Sequence, residues 1–167
     1  MKAIEKIGRK ENRSENRNMS MWTHIAGIVR LDSIRAVFID PPEPDWDKIF
    51  GKEIRYEDLG DFDEEDTDDV FTLPMGSEGS LEKSVWVNPD TSSISSYTVS
   101  VFGDLRDFGS CNEVQFVEWL EQVSKNIAGT MEKGANCIPM YVRQSVFEFS
   151  AEDMEKSKIF EIPNKKE

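Results

Sequence analysis

His24 is the only imidazole in the chain. A histidine works as a general base only with a nucleophile or a carboxylate within hydrogen-bond reach. Nothing beside His24 in sequence supplies one, so it reads as a sheet residue. The run Phe102-Gly103-Asp104-Leu105-Arg106-Asp107-Phe108-Gly109 holds two acids around one base. Paired carboxylates do acid–base work when a cleft fixes their separation; here the spacing reads as a turn with an Arg106 ion pair. Cys111 and Cys137 have no basic neighbour in sequence to lower a thiol pKa, and their separation excludes a CxxC metal site. Gly76-Ser77-Glu78-Gly79 lacks the Lys-Ser/Thr ending of a phosphate loop, and Glu78 would repel phosphate. It reads as a turn.

The densest titratable cluster is acidic. Between Glu57 and Asp69 nine of thirteen residues are acids and none is basic. Asp61, Asp63, Glu65 and Asp69 invite comparison with a calcium loop, which needs Gly at its sixth position and Glu at its twelfth. Counted from Asp61 those positions hold Asp66 and Thr72, so the comparison fails. Like charges this close repel and favour an extended, solvated loop. No catalytic residue, metal or cofactor is expected from the sequence.

These residues lie in a chain of 167 residues, the size of one ordinary domain with tails. Ten Phe, four Trp and three Tyr supply a core, which excludes full disorder. No apolar run reaches the length of a membrane span. The net charge is −13, yet residues 1–18 carry +3. Clustered bases drive nucleic-acid affinity, and they are missing outside that arm; no direct nucleic-acid or membrane binding is expected. A cytoplasmic location is the expectation.

Residues 1–18 lack an apolar period and a signal-peptide core, and read as a mobile charged arm. Translation could also start at Met19 or Met21, leaving the arm dispensable. Met21–Asp32 alternates as a strand with Trp22, His24, Ala26 and Ile28 on one face. Arg35–Asp40 is a short apolar run ended by the prolines at 41, 42 and 44, and Asp45–Phe50 is a short helix candidate. Leu81–Asn88 and Ser95–Leu105 form a hairpin. Ser110 and Glu113 fit a capping box, followed by a helical stripe of Val114, Val117, Leu120, Val123 and Ile127, with Phe116 beside it. Cys137–Ser150 is a last strand, with Met140, Val142 and Val146 on one face and Tyr141, Phe147 and Phe149 on the other. In the charged tail 151–167, Ile159, Phe160 and Ile162 are candidates to dock on the body.

The order strand, weak helix, hairpin, firm helix, strand predicts an α+β fold: a ferredoxin-like β-α-β-β-α-β sandwich with an antiparallel sheet. The first crossover is irregular and the acidic loop at 57–69 is an insertion. One domain spans 19–150. Element order names a fold and not a function. The function expected from charge is a non-catalytic acidic binding or inhibitor protein engaging a basic protein partner. It would resemble immunity partners of toxins or viral accessory proteins that mimic nucleic-acid charge. The expected contact residues are Asp61, Asp63, Glu64, Glu65, Asp66, Asp68 and Asp69, with Trp22, Trp86 and Tyr97 as an apolar platform if they share the sheet's open face. One alternative is a small enzyme or ligand-binding domain built on His24, Glu78 and residues 102–109. Another is a subunit that self-assembles through its sheet.

Overall fold

A computed structural model describes residues 20–34, 43–54, 70–88, 94–130 and 139–163. The charged arm, the run 35–40, the acidic segment with Asp61, Asp63, Glu64, Glu65, Asp66, Asp68 and Asp69, and Cys137 lie outside the described residues.

Strict alternation builds the central strand. In β1 (Trp22–Ile34) Thr23, Ile25, Val29 and Leu31 are buried while His24, Ala26, Ile28 and Arg30 are exposed. The other elements are α1 (Trp46–Phe50), β2 (Glu82–Val87), β3 (Ile94–Arg106), α2 (Glu113–Gly129), β4 (Met140–Ala151) and β5 (Lys158–Phe160). They form a five-stranded sheet in the order β2-β3-β1-β4-β5, every neighbouring pair antiparallel. The first four strands follow the interleaved order of a broadly ferredoxin-like fold, and β5 extends it at one edge.

The core fills the space between one sheet face and α2. Phe116 and Trp119 of α2 meet Phe147 edge-on, with ring centroids 5.9 and 5.8 Å apart. Such aromatic pairs add about 0.5–1.5 kcal/mol beyond their area. The buried stripe of α2 is Phe116, Trp119, Leu120, Val123 and Ile127. Val114, expected on that stripe, is exposed. Two residues at 100° each place it 200° from Phe116, on the far side of the helix.

Two further expectations need correction. The capping box does not form: the residue preceding α2 is Asn112, without a side-chain cap bond. Ser110 opens a 3-10 turn, and Asp153 accepts both its amide (3.1 Å) and its hydroxyl (2.5 Å). Glu113 accepts from Lys158 Nζ at 2.5 Å instead of reaching back to Ser110. The partition of β4 also differs, because its register against β1 shifts between Arg30 and Leu31. That bulge changes which parity faces inward. Met140 is therefore buried on the same side as Phe147 and Phe149.

The segment after β4 is tied down along α2. Phe160 pairs with Phe147 across β4 and β5, Ile162 is buried, and Ser124 Oγ donates to the Pro163 carbonyl at 2.5 Å. In the first crossover the one helix among the described residues is the five-residue α1, capped by Asp45 through the Lys48 amide. Trp119 Nε1 donates to the Phe50 carbonyl at 2.8 Å and fixes α1 against α2. No helix among the described residues is long and apolar enough to cross a membrane.

Candidate functional site on the open sheet face

Helix packing on one face leaves the other to be read as cross-strand rows. Each row is set by register, because antiparallel partners project to the same side. One row is Asp104–His24–Ser150 across β3, β1 and β4. The next is Glu82–Phe102–Ala26–Glu148–Ile159 across all five strands. The third is Ser84–Ser100–Ile28–Val146.

In the first row His24 Nδ1 lies 2.6 Å from Asp104 Oδ1. The carboxylate absent from the neighbourhood of His24 in sequence is thus delivered by strand pairing, eighty residues away. A neutral imidazole held this way donates from Nδ1 and leaves Nε2 as an acceptor. Both side chains are exposed, at 58% and 64%. Ser150 completes a row of hydroxyl, imidazole and carboxylate, but no hydrogen bond joins it to His24 among the described residues. Around the row lies a shallow depression of about 450 Å³ lined by His24, Ala26, Phe102, Asp104, Glu148 and Ser150.

Asp104 is positioned by the turn at 75–80, which folds back on the end of β3. The Arg106 amide donates to the Glu78 carbonyl at 2.8 Å, and the Ser77 amide donates to the Arg106 carbonyl at 2.9 Å. Gly79 has φ +78°, and a Cβ there would stand 2.0 Å from the Asp104 carbonyl oxygen. Both conditions demand glycine. Glu78 pairs with the Arg106 guanidinium, so this turn is structural and not a phosphate loop. Asp107 follows at φ 58°, and the Ser77 hydroxyl, which donates at 2.6 Å, holds its carboxyl below the usual range.

Trp22 and Trp86 both project to the open face, but they do not meet. Trp22 is opposite Arg106 and Trp86 opposite Thr98, eight residues apart on β3. At 3.4 Å per residue that is about 27 Å. Tyr97 lies on the other face, 8% exposed, with its ring 5.1 Å from Trp46. The three aromatics therefore form no single platform. The contiguous apolar patch at the centre of the open face is made by Phe102 (46% exposed), Ile28 (52%), Val146 and Ala26. The sequence pattern places Ile28 there; bringing Phe102 and Val146 beside it requires the register. Among the described residues no group of three or more His, Cys, Asp or Glu side chains is arranged to hold a metal ion.

The chain matches no protein-family model, no curated protein and no solved structure at a significant level.

Proposed function

We propose that this protein is a non-catalytic acidic binding protein that engages a basic protein partner, in the manner of an inhibitor. The observation that carries the reading is a broad exposed sheet face with apolar side chains among carboxylates, on a chain of net charge −13. Three rows of that face hold Glu82, Asp104 and Glu148 and no Lys or Arg. The nine acids at 57–69 add a field that steers a cationic surface toward the protein. Steering of this kind raises association rate more than final affinity and weakens with salt. Mimicry of nucleic-acid phosphate is the narrower form of the same reading and requires competition with nucleic acid for the partner.

The test begins with affinity capture and mass spectrometry to obtain the partner, followed by association kinetics at two salt concentrations. The expected rate falls as salt rises. It also falls when Asp63, Glu64, Glu65 and Asp66 are changed to Asn or Gln. A neutralised protein that associates as fast as the parent at low salt removes the acidic segment from the reading.

A second reading, a small hydrolytic enzyme, draws on the Asp104–His24–Ser150 row. A working triad needs the base bonded to the nucleophile and donors for an oxyanion. Ester hydrolysis lost equally in His24→Asn and Ser150→Ala would support it; activity unchanged by either substitution would refute it.

A further inference from the structure

We infer that the open face seats a basic segment of the partner over Phe102, apolar side chains on the centre of the sheet and Arg or Lys side chains on its carboxylates. This rests on the binding reading above and assigns it a location and a chemical pattern.

The centre is apolar and accessible. Phe102 and Ala26 are cross-strand partners, and Ile28 and Val146 occupy the adjoining row. Carboxylates bracket this island: Glu82 stands beyond Phe102, Glu148 beyond Ala26, and Asp104 on the row above. Strands are 4.7–4.9 Å apart, so Glu82 and Glu148 stand about 14 Å from one another with the apolar pair between them. Neither has a hydrogen-bond or ion-pair partner among the described residues, and Asp104 has only the exposed His24. The nearest cation along β1, Arg30, is turned to Asp32 and Ser96. An Arg or Lys side chain lays its methylene stem on apolar surface and its head on a carboxylate, and a guanidinium also rests on a ring face.

Charge selects this occupant over the others. A second copy would set the same carboxylates against themselves. Nucleic acid and an anionic membrane are repelled for the same reason. A cationic segment alone, without apolar residues, would leave Phe102, Ile28 and Val146 in water.

The probe is a short capped peptide with a leucine-rich centre and arginines at both ends, titrated into the full chain at low salt and followed by amide NMR. Expected are shifts concentrated at His24, Ala26, Phe102 and Glu148. Affinity should fall roughly tenfold in the variant Glu82→Gln, Asp104→Asn, Glu148→Gln, since each exposed ion pair contributes up to about fivefold. Phe102→Ala should weaken binding as well, and a peptide with serine for leucine should bind less tightly than the parent peptide. Retained amide dispersion shows that each variant is folded; should the triple variant unfold, Glu148→Gln alone serves. If the peptide binds with its shifts elsewhere and the variants bind it equally, the location is overturned while the binding reading stands. No binding at low salt, or equal binding of the serine peptide, overturns the apolar seat. The binding reading is then judged by its own salt-dependent kinetics.

Discussion

Gly27→Ala should destabilise the protein through one ring. Gly27 sits in the middle of β1 and faces the core, opposite Val101 on β3 and Phe147 on β4. A Cβ at this position would lie 2.0 Å from Phe147 Cδ1, 2.4 Å from Cε1 and 2.7 Å from Cγ, so the aromatic ring occupies the volume that any side chain would need. Ordinary contact begins near 3.4 Å, so the ring must retreat by at least 1.4 Å. It has nowhere to go, because Phe147 is fully buried and Phe116 and Trp119 back it from α2. Overpacking of this kind costs about 1–3 kcal/mol. For a protein of this size each kcal/mol moves Tm by roughly 2–4 °C, so the upper end corresponds to a drop of about 6–12 °C. Thermal and urea unfolding of Gly27→Ala, Phe147→Leu and the double variant form a mutant cycle. Leucine vacates the volume that the new methyl needs, so the double variant should be more stable than the sum of the singles by about 1 kcal/mol or more. A Gly27→Ala protein that melts with its parent, or strict additivity in the cycle, would refute the close approach of strand and ring.

Leu120→Ala, in the buried stripe of α2, should cost about 2–5 kcal/mol by denaturant titration. Asp153→Asn should cost about 1 kcal/mol at neutral pH, since the Ser110 amide and hydroxyl both donate to a charged carboxylate, and a bond to a charged acceptor is worth about that much more than one to a neutral amide oxygen. The Ser110 hydroxyl bond holds the Asp153 carboxyl below its ordinary value. Its contribution is therefore complete above about pH 4 and is lost as pH falls through the lower, folded value. The gap between parent and variant, followed by Tm against pH, should accordingly close in acid. Trp86→Ser should leave Tm within the small range of surface substitutions, because this indole is 68% exposed.

What the sequence reveals of this fold is what local spacing encodes. Period two in Trp22–Leu31 and the three- and four-residue spacing of Leu120, Val123 and Ile127 report faces directly, since each element repeats its own geometry. Long-range pairing is not written that way. Ser110-x-x-Glu113 has the form of a capping box, yet both side chains take partners from the segment after β4, Asp153 and Lys158. His24 and Asp104 meet only because β1 and β3 pair in one register; a slip of one residue would send either to the opposite face. The same parity argument places Tyr97 under the sheet and Trp86 above it, since Trp86 is opposite Thr98. The bulge that brings Met140 inward leaves no signature in composition at all.

The order of the strands has a consequence for synthesis. Among the described strands β1 leaves the ribosome first, yet both of its neighbours come much later: β3 begins at Ile94 and β4 at Met140. Ile25, Val29 and Leu31 therefore stay without their strand partners until β3 and β4 have been made. The outer seal comes later still, because Asp153, which anchors Ser110, and Ile162, which enters the core, both follow β4. Pairings so distant in sequence slow the search for the native state. A nascent chain with a bare central strand is the form that holdase chaperones recognise and that aggregates when they are lacking. Stalling before Ala151 would release that form, so yield in the cell should depend on elongation through β4 and β5 as well as on the stability of the folded protein.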